Sequence, residues 1–258
     1  MNALSRIIAV ANQKGGVGKT TTSVNLSAAL AEMEKRVLLI DIDPQGNATT
    51  GFGIDKEAAE KSVYDMLVDA SATAKAVCHT EYGVDVIPAN VDLAGAEVEL
   101  VTAERRETRL KEALAPLVEN YDYIFIDCPP SLGFLTINAL TAAHTLLLPI
   151  QCEFYALEGM SQILATMRLM QGGLNPELQL EGIVMTMFDM RTNLAAQVVA
   201  EVRGHFGDLV YDTMIQRTVR LSEAPSYGQP ITAYDSNSRA AEVYRELARE
   251  VMLRVEQA

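Results

Sequence analysis

Several short runs of Val, Ile and Leu, each flanked by helix-like sequence, constrain the fold of this chain more than any other feature. The runs are nearly continuous rather than alternating, which is typical of strands covered on both faces. They occupy residues 6–13, 36–43, 83–90, 121–129, 144–151 and 180–189, with a weaker candidate at 209–215. Helical patterns separate them, at 19–33, 92–118 with a break, 134–142, 154–171, 193–205 and 238–256.

This alternation of strands and helices predicts an α/β fold. It favours a mostly parallel twisted sheet of about seven or eight strands, with helices on both faces. Because 258 residues can bury one sizeable core, we expect a single domain over residues 1–258. Residues 46–80 give no readable pattern.

Composition and charge exclude several classes of protein. No apolar run approaches the roughly 18–20 residues that span a bilayer, and the early run "IIAVA" is too short for a signal peptide, so we expect a cytoplasmic protein. Cys78, Cys128 and Cys152 form no C-x-x-C pair, which argues against a disulfide framework or a zinc site. The net charge of −13 argues against general binding to nucleic acid, and leaves a local basic patch or a partner with a basic segment.

A glycine-rich stretch, "KGGVGKTT" at residues 14–21, follows the first predicted strand and opens a predicted helix. That context is the one in which backbone N–H groups and a helix N-terminus surround phosphate oxygens. Lys19 is expected to reach the β- and γ-phosphates, and Thr20 to place its hydroxyl on Mg²⁺. The residues expected to contact the nucleotide phosphates are Lys14, Gly15, Gly16, Val17, Gly18, Lys19, Thr20 and Thr21.

The loop departs from the usual pattern G-x-x-x-x-G-K-[ST] at one end. Gln13 occupies the position of the first glycine, and an additional lysine, Lys14, comes directly after it. A lysine inside a glycine cluster is unusual for an ordinary surface side chain. The pattern alone leaves open what this second lysine contacts.

Acidic residues end two of the predicted strands. Asp127 closes the apolar run in "YIFIDCPP", which is the form of an acid that holds Mg²⁺ directly or through water. Asp41 and Asp43 lie two residues apart at the end of another strand, so in an extended chain their carboxylates would point the same way. The alternative for this pair is a strand-end cap followed by a turn at Pro44.

Four segments together resemble the ParA/Soj partitioning ATPases, within the deviant Walker A (MinD/ParA) group of P-loop NTPases. They are "KGGVGKTT", "DIDPQGNAT", "YIFIDCPP" and "VRLSEAPSYGQPI", and the resemblance runs from about residue 6 to 255. It implies that ATP and Mg²⁺ are the cofactors. It also implies slow ATP hydrolysis that a partner protein accelerates.

The resemblance assigns roles to individual residues. Lys14 is implied to reach across a homodimer to the ATP of the other subunit, with Gly16 where the two subunits come closest. Asp43 is implied to position the attacking water and to lie on the metal side together with Thr20 and Asp127, with Asp41 also near Mg²⁺. Two ATP molecules would then form part of the dimer interface.

Two further segments carry implied roles. Arg191 and Arg220 correspond to arginines that contribute to non-specific DNA binding by the ATP-bound dimer. Asp189, Phe188 and Gln216 are candidate adenine contacts. The chain reads "IQRT" at 215–218, where relatives often read "IPRN".

The resulting hypothesis is an ATP-dependent switch for DNA segregation. The ATP dimer would bind double-stranded DNA in the nucleoid, and a ParB-like partner with a basic N-terminal segment would trigger hydrolysis and release. A MinD-like membrane ATPase is the principal alternative, although the helix at 238–256 has a mixed-charge face rather than a basic one. An iron-protein-type reductase would need a suitable cysteine pair, and a metabolic synthetase would need a substrate pocket.

Overall fold

A seven-stranded sheet forms the centre of the protein in this computed structural model, which describes residues 5–153 and 156–257. The strands are β1 (Arg6–Val10), β2 (Val37–Asp41), β3 (Cys78–His79), β4 (Val84–Ile87), β5 (Tyr123–Asp127), β6 (Thr145–Gln151) and β7 (Gln179–Thr186). Their order across the sheet is β3-β4-β2-β5-β1-β6-β7. All pairs are parallel except β3 with β4, so the predicted fold class is confirmed.

Helices connect these strands and cover the sheet. They are α1 (Lys19–Glu32), α2 (Asn47–Gly51), α3 (Val63–Val68), α4 (Thr73–Ala76), α5 (Leu93–Glu99), α6 (Arg109–Leu114), α7 (Phe134–Ala142), α8 (Ala156–Gln171), α9 (Asn193–Phe206), α10 (Val219–Glu223), α11 (Ile231–Tyr234) and α12 (Arg239–Gln257). The predicted helix at 92–118 is thus two helices, as its break suggested. Residues 154–155 of the predicted helix 154–171 lie outside the described residues.

The sheet separates two hydrophobic cores. Ile7 and Ala9 of β1 face one core, while Ile8 and Val10 face the other. Successive side chains of a strand point to opposite faces, so a strand that is apolar at every position must be covered on both sides. The continuous apolar runs in the sequence follow from this two-sided burial.

Helix α12 lies on one of these cores. Leu247 and Val251 are fully buried there, and Tyr244 is almost so. Its apolar stripe therefore packs inside the protein. Among the described residues no helix combines the length and the apolar character needed to cross a bilayer.

The structure corrects the sequence prediction in two places. Residues 209–215 do not form a strand: they join β7 only at separate points, an isolated bridge between Ile183 and Val210 and a hydrogen bond from the Ile215 N–H to the Met185 carbonyl at 2.9 Å. The reason is that Glu250 of α12 accepts the N–H groups of Asp212 and Thr213, at 2.8 and 3.0 Å, which removes them from any ladder. The unreadable segment 46–80 contains α2, α3, α4 and the two-residue strand β3.

Candidate functional site

The loop between β1 and α1 is shaped by glycines in left-handed conformations. Gly16 has φ +74° and Gly18, which precedes the first helical residue, has φ +91°. Residues with a Cβ rarely adopt such angles. These two glycines turn the chain sharply from the strand into the helix, so that the loop curls over the first turn of α1.

Two polar side chains that the sequence analysis did not select hold this loop in place. Asn12 Nδ2 donates to the Pro149 carbonyl at 2.8 Å, and Asn12 Oδ1 accepts from the Lys14 N–H at 3.0 Å. Thr186 Oγ1 donates to the Val17 carbonyl at 2.7 Å. The loop is therefore fixed from β6 and β7, both distant in sequence.

The N–H groups of the loop and first helical turn are left without protein partners. Those of residues 15–21 donate no hydrogen bond to any acceptor among the described residues, and α1 has no side-chain N-cap. An array of free N–H groups at a helix N-terminus attracts anions, because the groups converge and the helix dipole adds positive charge. The arrangement fits the predicted phosphate cradle.

Lys19 supplies the cation nearest to this cradle. Its ammonium donates to the Lys14 carbonyl at 3.2 Å, and the residue is only 7% exposed. Burial lowers the pKa of Lys19, while the negative charges of Asp127 and Asp43 oppose that shift. The side chain folds back under the loop, as a lysine that contacts bound phosphate from below requires.

Asp127 lies at the end of β5, directly beneath the first turn of α1. Its two carboxylate oxygens accept hydrogen bonds from Thr20 Oγ1 and Ser23 Oγ, both at 2.8 Å. Burial and repulsion from Asp41 raise the pKa of Asp127, and the two hydroxyls oppose the shift. Ser23 was not predicted, although it lies one turn after Thr20 on the same helix face.

These groups fit a magnesium site on a bound nucleotide. No cluster of three or more His, Cys, Asp or Glu side chains suited to a metal occurs in residues 5–153 and 156–257. Mg²⁺ on nucleotides needs only one or two protein oxygens, because phosphates and water supply the rest. The Thr20 hydroxyl backed by Asp127 meets that requirement.

Asp41 lies beside Asp127 in the ladder between β2 and β5, and its negative charge helps to raise the pKa of Asp127. It is fully buried, and its Oδ2 accepts from both the N–H and the hydroxyl of Thr49, each at 2.8 Å. Thr49 Oγ1 in turn accepts from the Ala89 N–H at 3.0 Å. Asp41 therefore fastens α2 and the end of β4 to β2, and its place near Mg²⁺ stays a prediction.

Asp43 does reach the site. It lines a pocket of about 350 Å³ around the glycine loop. The other residues lining this pocket are Gly15, Gly16, Gly18, Lys19, Thr20, Thr21, Gln45, Asn47, Pro130 and Met187. Asp43 Oδ1 accepts from the Gln45 N–H at 3.0 Å, which leaves the other carboxylate oxygen free of described partners.

A second pocket of about 470 Å³ adjoins the first and shares Gly18, Thr21 and Met187 with it. Gln216 lines this pocket, as expected for an adenine contact, but Phe188 and Asp189 do not. Both carboxylate oxygens of Asp189 are held by Arg191 instead, at 2.9 and 2.7 Å. Their contact with adenine stays a prediction.

Lys14 points away from its own loop. Its ammonium forms an ion pair with Glu153 at 2.9 Å, and the lysine side chain is 37% exposed. Lys14 therefore does not contact the phosphate cradle of its own chain here. The placement is compatible with a role directed outside the chain.

The two predicted DNA-binding arginines lie near two neighbouring loops, Arg191 in the loop after β7 and Arg220 in α10, directly after the loop that contains Gln216. A bridge between Phe188 and Gln216 joins these loops, and the side chains of Arg191 and Arg220 are 88% and 56% exposed. Each has acidic neighbours: Arg191 pairs with Asp189, and Arg220 with carboxylates at 3.2 and 3.4 Å. Arg217, which was not predicted, lies between them and has no acidic partner among the described residues.

Comparison with known proteins gives consistent matches along the chain. A family model described as an AAA domain matches residues 5–180. The sporulation initiation inhibitor protein Soj of Bacillus subtilis (strain 168) is 60% identical over 249 residues, covering 96% of this chain and 98% of Soj. The chromosome partitioning protein ParA of Myxococcus xanthus (strain DK1622) is 54% identical, covering 97% of this chain and 89% of that protein.

A solved structure extends these matches to three dimensions. Cobyrinic acid a,c-diamide synthase from Mycobacterium smegmatis, with bound ATP analogue and magnesium, superposes with a TM-score of 0.86 at 41% identity, covering 99% of this chain and 97% of that one. Identity above half over nearly the whole chain is reached by partitioning proteins. With the glycine loop, Lys19 and Asp127 placed as described, the chain belongs to the ParA/Soj family of partitioning P-loop ATPases.

Proposed function

We propose that this protein is an ATP-dependent switch for DNA segregation. ATP with Mg²⁺ binds each chain, two chains form a sandwich dimer, and the dimer binds DNA without sequence preference. A ParB-like partner then stimulates hydrolysis, which releases the dimer. The cradle of unpaired N–H groups over Lys19 is the observation that carries this proposal.

Different groups of this chain bind the phosphates, hold the metal and orient the attacking water. The N–H groups of residues 15–21 and the Lys19 ammonium hold phosphate oxygens, while Thr20 and Asp127 hold the metal. Bound Mg²⁺ would neutralise phosphate charge. Asp43, with one carboxylate oxygen free beside the loop, orients a water molecule for attack.

Other residues are assigned to the adenine base and to the phosphates bound by the second subunit. Adenine occupies the pocket of about 470 Å³ lined by Gln216, because that pocket adjoins the phosphate cradle at Thr21. Lys14 leaves Glu153 to contact the phosphates of the partner subunit, where it adds positive charge only within the dimer.

DNA binding is assigned to the paired loops that carry Arg191 and Arg217, together with Arg220 in α10. The net charge of −13 makes a single chain a poor ligand for DNA. A symmetric dimer would present each arginine twice, which supports binding only after ATP has joined two chains.

Two alternatives receive less support. Amide synthesis, suggested by the diamide synthase, rests on 41% identity, against 60% for Soj. A MinD-like membrane cycle needs a basic amphipathic helix to lie on lipid. Helix α12 instead buries its apolar stripe and carries arginines paired with glutamates.

Co-sedimentation with random-sequence DNA tests the proposal. The protein should pellet with DNA in ATP or a non-hydrolysable analogue, and remain in the supernatant with ADP. Equal pelleting in all three states would contradict a nucleotide switch. Pelleting with anionic liposomes instead of DNA would favour the membrane alternative.

A further inference from the structure

Helix α5 exposes apolar residues on its outer side, although its sequence LAGAEVE also includes two glutamates. Leu93 and Ala96 are fully buried on its inner side. On its outer side, Val91 just before the helix and Val98 within it are 78% and 76% exposed. Exposed apolar residues that adjoin one another mark a candidate interaction surface.

The exposed apolar residues form one continuous stripe rather than scattered points. We call Val91, Ala94, Val98 and Val101 the valine stripe; all four are exposed. The Ala94 N–H donates to the Val91 carbonyl at 3.1 Å, so the helical turn already begins at Val91. Spacings of three and four residues place Val91, Ala94 and Val98 on one face of a helix, and Val101 follows in the 3-10 turn Leu100–Thr102 after α5.

The stripe adds little to the stability of the isolated chain. Valine is a weaker helix former than the lysine or glutamate common at exposed helical positions, because its branched side chain loses χ1 freedom. The exposed methyl groups lie in water in the folded chain as in the unfolded one, so they contribute no hydrophobic stabilisation. A partner that covered the stripe would gain that contribution.

Carboxylates surround the stripe without compensating cations. Asp92, Glu99 and Glu104 are exposed, and none forms an ion pair with a described residue. The two nearest arginines are engaged elsewhere, Arg105 with Glu112 and Arg106 with Glu107. The surface is therefore an apolar strip with an acidic border.

We infer that the valine stripe docks a basic amphipathic segment of a partner protein, whose apolar side chains cover Val91, Val98 and Val101. Lysines or arginines of that segment meet the acidic border. A second copy of this chain fits less well, because a two-fold contact would bring Asp92, Glu99 and Glu104 against the same carboxylates. DNA is excluded as the occupant by the same charge.

The identity of the segment rests on the proposed function, which supplies a ParB-like partner with a basic N-terminal segment. A fluorescein-labelled peptide of that segment is therefore the probe, and fluorescence anisotropy with full-length protein is the measurement. The test variant is Val98→Gln with Val101→Gln, which removes apolar surface but no core contact. Leu169→Gln is the matched control, because Leu169 is 77% exposed on α8, away from the stripe.

The double variant should bind the peptide about tenfold more weakly, from the loss of two valine contacts. Leu169→Gln should bind as the wild type does. Glu104→Gln should also weaken binding and reduce its dependence on salt. Peptide binding by the double variant at wild-type affinity would overturn the inference.

Further results would overturn this inference or separate its failure from a failure of the proposed function. If wild-type protein binds DNA only with ATP yet ignores the peptide, the stripe is not the docking surface although the function stands. If ATP-dependent DNA binding fails as well, the proposed function fails independently. Self-association without nucleotide that the double variant abolishes would make a second copy the occupant.

Discussion

Asp41 and Asp43 show how two neighbouring carboxylates acquire different roles. We predict that Asp41→Ala lowers the free energy of unfolding by about 2–4 kcal/mol, because two Thr49 donors and the Asp43 N–H lose their acceptor in a buried place. Urea denaturation monitored by circular dichroism measures this. A stability loss below about 0.5 kcal/mol would contradict the structural role.

Asp43→Asn should behave in the opposite way. The amide oxygen can still accept from the Gln45 N–H, so stability should change little. Without the carboxylate, water is poorly oriented, and ATP hydrolysis should fall while ATP binding persists. Phosphate release and fluorescent-ATP titration test the two halves. Hydrolysis at the wild-type rate would remove Asp43 from the mechanism.

Gly16 is best tested with a residue that tolerates its backbone angle. Among the described residues, no atom beyond its immediate chain neighbours lies within 4 Å of a Cβ added there, but φ is +74°. Valine would therefore strain the loop itself, whereas asparagine accepts left-handed angles. Gly16→Asn should bind ATP yet fail to dimerise in light scattering, if the subunits meet at this residue. Normal dimerisation would place the interface elsewhere.

At the scale of elements, the sequence predicted long apolar strands well and their ends poorly. The side chains of Asp41 and Asp43 were expected to point the same way, which holds only while the chain remains extended. Strand β2 ends at Asp41, and the turn that follows separates the two carboxylates. Residues 209–215 were misjudged because Glu250, distant in sequence, captures their backbone N–H groups.

The residues of the binding site were also predicted well where they are neighbours in sequence and poorly where they are not. The contiguous loop at 14–21 was recognisable, since its spacing is local. Asn12 and Thr186 were not predicted, because the residues they contact, Pro149 and Val17, are distant from them in sequence. The order of the strands in the sheet brings each pair together. Phe188 and Asp189 were predicted as adenine contacts by resemblance alone. In the structure the Asp189 carboxylate forms an ion pair with Arg191.

The junction of β1 and β6 should respond to pH through His144. Its Nδ1 accepts from the Ile7 N–H at 3.1 Å, which requires the neutral ring. Burial, with the positive charges of Lys111 and Arg6, lowers the pKa of His144, and Glu177 opposes the shift. The stabilising contribution is therefore complete above the ordinary histidine pKa of about 6.5 and is lost as pH falls below it.

Because the His144 ring is partly exposed, the effect should be shallow. His144→Asn keeps an acceptor near the same position but cannot titrate. We predict that the variant flattens the dependence of thermal stability on pH between about 7 and 5. His205→Asn is the matched control and should leave the slope unchanged. If the thermal stability of His144→Asn depends on pH as steeply as that of the wild type, another group causes the dependence.

At the scale of the whole molecule, the distribution of charge determines which part of the surface can bind DNA. Most exposed arginines of α12 are paired with glutamates, whereas Arg217 has no acidic partner in the described chain. The proposed DNA surface is the region of the paired loops after β7 and before α10, which contain Arg191 and Arg217 and lead to Arg220 in α10. The assignment of residues 1–258 to one domain and the nucleoid location remain predictions.

The salt dependence of DNA binding tests the central claim most directly. Binding to random-sequence duplex is measured across a salt series with ATP present, for wild type, for Arg191→Ala with Arg220→Ala, and for Arg239→Ala with Arg249→Ala. The last variant also removes two exposed, ion-paired arginines. Each phosphate contact contributes a log–log slope of about −0.9.

A dimer presents each arginine twice, so loss of Arg191 and Arg220 deletes about four contacts and should flatten the slope by roughly 3–4 units. The Arg239 and Arg249 variant should retain the wild-type slope, and light scattering should show ATP-dependent dimers in all three proteins. Equal slopes for the wild type and the Arg191 and Arg220 variant would contradict this DNA surface. Absence of ATP-dependent DNA binding in the wild type would contradict the segregation switch itself.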